Sequence, residues 1–447
     1  MNAALQQYID LYEAHQAILC HAAPQVLNEA RAKALQELKA HGLPTSRQER
    51  YKYTDVAALL EPDYGLNLQR LAGKQQVAAC AVPGLKALTR YVAGDVMLPT
   101  SSQVPSTCEG IEVMSLHEAQ QVYPDLLQQH YNRLASEQPD ALTALNTLLV
   151  QDGLFIYVKR NASPALPLQI VNTAQTNTPA MHNRRLLILC EAHASATILL
   201  CDHCTTRSQT LTTEVSEISL GEGAQLSIYS VEETNSQCSR YHNIYATQQA
   251  ESRLNLCDVT LRAGTSRTMA NVSLKGEGAQ TFMAGAIVAS EAQHIDNNLL
   301  IAHHAPACQS EMLYKSVLNQ ESTAAFAGKV YVAPGAQQTI SQQTSANLCV
   351  SPNAHAYTQP MLEIYADDVK CNHGATVGKL DESALFYMRQ RGISEAEARL
   401  LLQHAFVSEV ISHIDIPALR DRLTSLIDMR FRGDDDVHCA GCGLCGK

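Results

Sequence analysis

A cysteine and a histidine stand two residues apart at Cys371 and His373, within the stretch Leu362-Glu-Ile-Tyr-Ala-Asp-Asp-Val-Lys-Cys-Asn-His-Gly374. If this stretch is a β-strand, alternate residues share a face, and the thiol and the imidazole project together. Such a pair suits a soft or borderline metal, iron or zinc. Two ligands cannot complete a metal site, so a function here requires a partner surface or other parts of the chain. The alternative is a buried cysteine beside a histidine that is hydrogen-bonded to a loop carbonyl.

A second candidate metal site is the run His438-Cys-Ala-Gly-Cys-Gly-Leu-Cys445, which places Cys439, Cys442 and Cys445 at Cys-x-x-Cys-x-x-Cys spacing. Iron–sulfur cysteines take this spacing, but a four-iron cluster requires a fourth ligand that the last residues do not supply. Glycines and an acidic run predict a flexible tail over residues 434–447. Metal binding by this tail, including an iron–sulfur electron carrier, and a tail with incidental thiols both remain open.

A third motif is Cys201-Asp-His-Cys204, a Cys-x-x-Cys pair with an internal histidine. A structural zinc site uses four ligands, usually from two such pairs, and neither Cys190 nor Cys238 belongs to a second pair. A buried thiol at a strand end, followed by a turn, is therefore the favoured interpretation. The sequence contains no nucleophile elbow, Walker loop, Rossmann glycine motif or HExxH zinc motif.

The composition excludes several classes of protein. The 447 residues carry 33 Lys and Arg against 44 Asp and Glu, and the net charge of −11 argues against a nucleic-acid surface. Six Phe, 17 Tyr and no Trp leave few aromatic faces for stacking bases or sugars. Fourteen cysteines without an export signal predict reduced thiols, and no apolar run approaches the ~18 residues of a membrane span. We therefore expect a cytoplasmic protein.

Apolar residues at helical spacing predict helices over most of residues 1–42 and from about residue 116 to 149, with breaks or first-turn positions at Pro124 and Pro139. We therefore expect an N-terminal, mostly helical domain over residues 1–150. After Gly153 the segments become short, alternating and rich in β-branched residues, which is typical of strands.

A repeat predicts how these strands are arranged. Gly-Ala-Gln occurs at residues 223–225, 278–280 and 335–337, and small residues fill the half-steps at Ala196, Ala224, Ala250, Ala279, Ala307 and Ala336. A unit that turns at a small residue and then forms a strand stacks into a parallel β-solenoid, with one coil per repeat. We expect this core over residues 151–380. An antiparallel sandwich with evenly spaced hairpins is the alternative, although Asn-Gly and Asp-Gly turns are nearly absent.

Helical spacing returns after the solenoid. Ser394 and Glu397 match a capping box, and an apolar stripe follows them. We expect a C-terminal helical domain over residues 381–433, before the tail.

Several longer motifs resemble a known family. They are Phe326-Ala-Gly-Lys-Val-Tyr-Val332, Pro334-Gly-Ala-Gln-Gln338, Leu362 to Cys371, His373-Gly-Ala-Thr-Val-Gly378, Leu385-Phe-Tyr387, Arg391-Gly-Ile393, Gly42 to Thr54, and the region of His294, His304 and Lys315. Over roughly residues 40 to 430 the chain resembles the SufB/SufD family of iron–sulfur cluster assembly proteins. The resemblance is closer to its SufD branch, because Pro360 stands where SufB-like sequences carry a cysteine suited to cluster building.

The resemblance implies a mainly β protein, a right-handed parallel β-helix flanked by N- and C-terminal helical domains. It implies a scaffold subunit, not an enzyme, that pairs its β-helix with SufB and binds the ATPase SufC through its C-terminal helices. An iron–sulfur cluster or iron would be held transiently at the interface with SufB, where Cys371 and His373 are the matching residues and His373 faces the cluster. The family pattern does not extend to the tail cysteines.

Two further expectations follow from the predicted solenoid. Right-handed β-helices also occur in polysaccharide-active enzymes, but these need clustered carboxylates and usually aromatic subsites, which this sequence does not offer. A solenoid by itself leaves an open end and unpaired strand edges, so we expect the isolated chain to form a homodimer.

Overall fold

The computed structural model describes residues 2–21, 23–72, 82–99, 107–108, 110–204 and 208–433. Within these ranges the helices are α1 (Ala3–His21), α2 (Gln25–His41), α3 (Val56–Leu60), α4 (Leu116–Val122), α5 (Pro124–His130), α6 (Arg133–Glu137), α7 (Ala141–Leu149), α8 (Glu382–Gln390), α9 (Glu395–Ser412) and α10 (Pro417–Arg432). The strands are β1 (Leu88–Ala93), β2 (Val96–Met97), β3 (Thr107–Cys108), β4 (Ile111–Ser115), β5 (Leu154–Val158), β6 (Leu168–Ala174), β7 (Ala180–Cys190), β8 (Ser195–Cys204), β9 (Thr210–Leu220), β10 (Gln225–Glu233), β11 (Cys238–Gln248), β12 (Arg253–Arg262), β13 (Thr265–Leu274), β14 (Gln280–Ala289), β15 (His294–His303), β16 (Gln309–Leu318), β17 (Thr323–Val332), β18 (Thr339–Cys349), β19 (His355–Ile364) and β20 (Val369–Gly378).

Successive strands alternate between two sheets, and this produces a solenoid. Even-numbered strands from β6 to β20 pair in order within one sheet, here sheet A, and odd-numbered strands from β5 to β19 pair in order within the other, sheet B. The pairs are parallel: Gln225, for example, lies in register with Ser195 on one side and Arg253 on the other. The chain makes about seven turns between residues 154 and 378. The predicted parallel β-helix is confirmed over the alternative of an antiparallel sandwich.

Small residues occupy one corner of each coil, as the repeat predicts. In successive coils the residue before or at the start of the sheet A strand is fully buried, in the order Ala194, Ala224, Ser252, Ala279, Cys308 and Thr339. Their carbonyls accept hydrogen bonds from the coil that follows, beginning with Gln225 N to Ala194 O at 2.8 Å. The predicted alanines at 224 and 279 belong to this column. Those at 196, 250, 307 and 336 lie one to three residues away, because the corner requires a small side chain rather than alanine itself.

The solenoid interior has an apolar part and a charged part. Inward positions such as Ile188, Ile198 and Leu226 form the main apolar core. The same strands also carry inward-facing residues that are not apolar, at positions an even number of residues from the apolar ones. Six of these side chains are polar or charged and almost fully buried: Arg184, Asp202, Glu214, Glu232, Arg240 and His242. We refer to these six residues as the interior charge cluster.

The N-terminal helices cover the outer face of sheet B. Leu148 of α7 is buried in one cluster with Leu5 of α1 and Tyr241 of β11. The prolines lie where helix breaks are expected, since Pro124 begins α5 and Pro139 directly precedes the cap of α7 at Asp140.

Residues 1–150 also contribute strands to the two sheets. β1 pairs in parallel with β6, so sheet A continues beyond the solenoid coils toward the N-terminus. β4 pairs in antiparallel fashion with β5 and extends sheet B in the same way. The N-terminal region is therefore part of the same β-structure as the solenoid.

The C-terminal helices cover the outer face of sheet A. Val407 and Ile411 of α9 and Leu423 of α10 are buried in one cluster with Leu313 and Val317 of β16. Because this core is shared, the helices and the solenoid stabilise each other. Among the described residues, no helix is both long and apolar enough to cross a membrane.

Half of the predicted capping box forms. The hydroxyl of Ser394 accepts the backbone N–H of Glu397 at 3.2 Å and caps α9. The Glu397 carboxylate accepts hydrogen bonds from the Arg432 guanidinium at 3.3 Å. This contact joins the first turn of α9 to the last turn of α10.

Candidate functional site

The stretch from Leu362 to Gly374 forms two strands around a corner. β19 ends at Ile364, and β20 begins at Val369 in the other sheet. The corner is tied to the preceding coil, since Gln338 N donates to Asp368 O at 2.6 Å and Asp368 N donates to the side-chain oxygen of Gln337 at 2.9 Å. The motif that resembles the SufB/SufD family therefore covers the last corner of the solenoid.

Strand β20 places Cys371 and His373 on one face. It pairs in parallel with β18, so that Cys371 lies in register with Ser341 and His373 with Gln343. Ser341 and Gln343 point into the solenoid and are 1% and 0% exposed. Cys371 and His373 continue these two inward columns at the end of the solenoid. Since β20 is the last strand of sheet A, His373 is exposed.

The Cys371 thiol is half-buried and packs against the end of the interior core, as do Leu362 and Val369. Burial raises the pKa of the Cys371 thiol above its usual value, and a hydrogen bond with the Ser341 backbone opposes this effect. A thiol in this state is mostly protonated near neutral pH, so binding a metal requires release of its proton.

A column of hydrogen-bonded side chains runs beneath Cys371. His303 Nε2 lies 2.9 Å from Ser310 Oγ, and Ser310 Oγ lies 2.8 Å from Ser341 Oγ. Burial lowers the pKa of His303 to about 4, so its ring is neutral. The column therefore ends at the residue in register with Cys371. No local motif marks His303, Ser310 and Ser341. The signal in the sequence is that Ser310, Ser341 and Cys371 follow one another at intervals of about one coil.

Two buried polar atoms in the last coils of the solenoid have no hydrogen-bond partner within the described residues. Gln343 donates from Nε2 to Gly328 O at 2.9 Å, while its Oε1 has no hydrogen-bond partner within the described residues. The hydroxyl of Thr358 on β19 is likewise unpartnered. Leaving a buried polar atom unpaired costs roughly 1–3 kcal/mol, so water or a bound partner is expected to satisfy these atoms.

The described residues assemble too few ligands for a closed metal site. Among the described residues, no group of three or more His, Cys, Asp or Glu side chains is placed so that it could hold a metal ion. Cys371 and His373 supply one sulfur and one nitrogen, both of which iron and zinc accept. Further ligands would have to approach from the open end, where β19 and β20 are the terminal strands of their sheets.

The Cys-x-x-Cys motif at Cys201 and Cys204 does not form a metal site. Cys201 is buried beneath the C-terminal helices, as expected for a thiol with a packing role. Cys204 turns toward Cys238, and the two sulfurs are bonded, with the Cα atoms 7.1 Å apart. The expectation that all cysteines are reduced is therefore wrong for this pair, because the chain returns to the same corner one coil later.

The other residues of the resemblance lie apart from Cys371. His294, on β15, is largely buried beneath the N-terminal region, near the hydroxyl of Thr54. His304 contacts the ring of Tyr331, and Lys315 pairs with a glutamate of α9. The candidate tail ligands Cys439, Cys442 and Cys445 lie outside the described residues.

Comparison with known proteins identifies the family of the chain. Residues 171–406 match the family model "SUF system FeS cluster assembly, SufBD core domain", and residues 2–170 match "SufBD protein N-terminal region". The iron–sulfur cluster assembly protein SufD of Escherichia coli is 29% identical over 440 residues, covering 96% of this chain and 97% of the relative. SufD of Bacillus subtilis is 25% identical over 327 residues, covering 72% and 75%, respectively. An iron–sulfur cluster assembly SufBD family protein of Synechocystis is 29% identical over 435 residues, 93% of each chain. The chain belongs to the SufBD family of iron–sulfur cluster assembly proteins.

Proposed function

We propose that this chain is the SufD-type scaffold subunit of a Suf iron–sulfur cluster assembly complex. It pairs the open end of its solenoid with SufB and binds the ATPase SufC through its C-terminal helices. Iron or a nascent cluster is held transiently between this chain and SufB, next to His373. The chain positions these components and does not itself turn over a substrate.

The open end of the solenoid is the observation that carries this proposal. β19 and β20 each expose one backbone edge, which is a template for pairing with another β-structure. Large apolar side chains lie beside these edges, including Tyr357 on β19, Tyr365 in the corner and Val377 on β20, each more than 40% exposed. Burying these groups against a second solenoid would satisfy both the backbone edges and the apolar surface.

The C-terminal helices offer a separate surface for SufC. Phe386 and Tyr387 of α8 are about 60% exposed, and Leu401 of α9 is 45% exposed. Their neighbours in α9 and α10 are already buried against sheet A, so these three side chains are not needed for the intramolecular core. Exposed aromatic and aliphatic groups of this kind are typical anchors at protein interfaces.

The position of the site supports a shared cluster. Cys371 and His373 lie on the terminal strand of sheet A, and the described residues supply no third ligand near them. A four-coordinate iron needs two or more additional ligands, which sulfide and the partner subunit can provide. The unpartnered Oε1 of Gln343, the residue in register with His373, adds a hydrogen-bond acceptor on the neighbouring strand.

The test is co-purification of the tagged chain with SufB and SufC, expressed separately and together. We expect the chain to retain both partners. Val377→Asp should release SufB selectively, because it adds a charge at the open end, whereas Asn372→Ala, on the outward face of the same strand, should release neither partner. If the wild-type chain retained neither SufB nor SufC, the scaffold proposal would be refuted.

A further inference from the structure

A column of inward positions on sheet A leads through the solenoid to Cys371. The residues in register with one another on successive strands are Leu254, Thr281, Ser310, Ser341 and Cys371. The column therefore changes from an apolar side chain to hydroxyl groups as it approaches the open end. Ser310 and Ser341 are 6% and 1% exposed, and buried hydroxyls of this kind are almost always hydrogen-bonded. Both hydroxyls must find their partners inside the solenoid.

The partners of these two hydroxyls form a short chain. Ser310 Oγ lies 2.9 Å from His303 Nε2 and 2.8 Å from Ser341 Oγ. Thr281, on the other side of Ser310, donates its hydroxyl hydrogen to the side-chain oxygen of Gln248 instead. Three polar groups, the ring of His303 and the two serine hydroxyls, are thus joined by two contacts.

The position of the ring hydrogen decides the direction of these two contacts. Burial lowers the pKa of His303 to about 4, so the neutral ring carries one N–H, on either Nδ1 or Nε2, and each serine adds one O–H. With the hydrogen on Nδ1, Ser341 donates to Ser310 and Ser310 donates to His303. The ring N–H is then buried without an acceptor, because Nδ1 has no hydrogen-bond partner within the described residues.

With the hydrogen on Nε2, the direction reverses. His303 donates to Ser310, Ser310 donates to Ser341, and the O–H of Ser341 is available to donate onward. An acceptor lies beside this O–H, because Cys371 is in register with Ser341 and its sulfur already interacts with the Ser341 backbone through a hydrogen bond. Since a buried donor without an acceptor is costly, the arrangement that ends at the Cys371 sulfur is favoured.

We propose that Ser341 is a positioning residue for Cys371: its hydroxyl, oriented through Ser310 by the Nε2–H form of His303, donates to the Cys371 sulfur. The backbone of Ser341 supplies a second interaction with the same sulfur. Hydrogen bonds to a sulfur stabilise the thiolate, fix the orientation of a metal ligand and shift the reduction potential of an iron–sulfur unit. The effect on a bound metal or cluster rests on the proposed function, whereas the hydrogen bond itself is a property of the isolated chain.

The first experiment measures how fast Cys371 reacts in the isolated chain. Iodoacetamide is added for short times at a fixed, mildly alkaline pH, and the modified fraction of each cysteine is determined by peptide mass spectrometry. We expect Ser341→Ala to slow the modification of Cys371 at least ~three-fold, because the smaller thiolate fraction outweighs the higher nucleophilicity of the sulfur. Ser341→Thr keeps the hydroxyl and should restore the wild-type rate.

Cys349 is the internal control for this measurement. It is a free, half-buried cysteine on β18, the strand that carries Ser341, and its rate of modification should be the same in all variants. A purely structural role of Ser341 predicts the opposite sign, since a loosened strand exposes thiols and speeds the modification of Cys349 and Cys371 together. The measurement uses neither SufB, SufC nor a cluster, so its result stands whether or not the chain binds these partners.

The second experiment determines the tautomer of His303 in the wild-type chain. The chemical shifts of the two ring nitrogens distinguish Nε2–H from Nδ1–H, and the His303 signals are assigned by their loss in His303→Gln. We expect the hydrogen on Nε2, and this result decides the question if Ser341→Ala loosens the strand or does not fold. The proposal is overturned if the hydrogen lies on Nδ1, or if Cys371 in a folded Ser341→Ala chain reacts as fast as in wild type while Cys349 is unchanged.

Discussion

Removing one arginine from the interior charge cluster should destabilise the solenoid strongly. Arg240 is 6% exposed, and its guanidinium nitrogens lie 3.5 Å from Asp202 Oδ2 and 3.4 Å from Glu232 Oε2. The other cation, Arg184, lies 2.5 Å from Asp202 Oδ1 and 3.8 Å from Glu214 Oε2. Three buried carboxyl groups thus lie within 3.8 Å of two guanidinium groups, and the carboxyl of Asp258 also interacts electrostatically with Arg240. The change Arg240→Met keeps most of the side-chain volume and removes one of the two charges.

The expected loss follows from the cost of a buried charge without a counterion. Breaking a buried ion pair by removing one partner typically costs about 3–5 kcal/mol, because the remaining charge is not solvated. Here Glu232 loses its guanidinium partner and Asp202 keeps only Arg184, so we expect a decrease of ~3–5 kcal/mol in the free energy of unfolding near neutral pH. Part of this loss should disappear at acid pH, where the carboxyl groups are protonated and need no counterion.

Urea unfolding followed by far-UV circular dichroism measures this quantity. The matched control is Arg253→Met, since Arg253 is exposed on the outer face of the neighbouring strand β12, and we expect it to change stability by less than ~0.5 kcal/mol. The double variant Arg240→Met/Glu232→Gln should recover part of the loss, because it removes the uncompensated carboxylate. An Arg240→Met protein as stable as the Arg253→Met control would refute the view that this arginine neutralises the cluster.

Four further results are expected. Burial raises the pKa of Glu214, so the contribution of Glu214 to stability falls as the pH rises above the ordinary carboxyl pKa. In urea unfolding, Glu214→Gln should match wild type at about pH 4 and be more stable than wild type at about pH 8, and a difference that does not change with pH would contradict this. Leu401→Asp should weaken SufC binding at least ~ten-fold in a titration without lowering the melting temperature. The control Ile18→Asp, at an exposed position on α1, should bind SufC normally, and equal affinities of the two variants would show that α9 is not part of the SufC interface. Light scattering of the isolated chain should show a homodimer that SufB dissociates, because both cover the open end, and a monomer at every concentration would argue against that surface. Deleting residues 434–447 should leave cluster assembly with SufB and SufC unchanged, and a loss of cluster content would show that the tail cysteines contribute to assembly.

The sequence predicts the fold well because the repeat arises from a local steric requirement at the corner of each coil. Each coil needs a small residue at its corner, so Ala224 and Ala279 recur at nearly constant spacing and identify the solenoid. Where Ser252, Cys308 or Thr339 meets the same requirement, the nearest alanine of the pattern lies one to three residues away. The helical regions are predictable for a similar reason, since prolines and caps act within one turn of the helix.

Features that depend on pairing between coils are not predictable in this way. Arg240 and Asp202 lie on polar stretches that alternation alone does not distinguish from an outer face, and only the closed solenoid shows that they are buried. The bond between Cys204 and Cys238 likewise depends on the coil length at one corner. The helices after residue 381 share a buried core with β16, a contact between distant parts of the chain that their own helical spacing does not predict.

The candidate site was predictable only in part. The two-residue spacing of Cys371 and His373 places both on one face in either case, whether the stretch forms one strand or turns a corner before Val369. The supporting residues Ser341 and Gln343 come from the preceding coil, and their register with β20 is set by the corner at Asp368. Pairing registers of this kind depend on the whole coil rather than on a local motif.

The most direct test of the account is the cluster content of the purified complex when His373 is replaced by alanine. Iron and sulfide analysis and absorbance should show a strong loss, while the amounts of bound SufB and SufC stay at wild-type levels. Cys371→Ser should have a milder effect, because its half-buried thiol also packs against the interior core. Asn372→Ala, which faces outward between them, is the matched control and should assemble clusters normally. If the His373→Ala complex retained wild-type cluster content, the assignment of this site would be wrong.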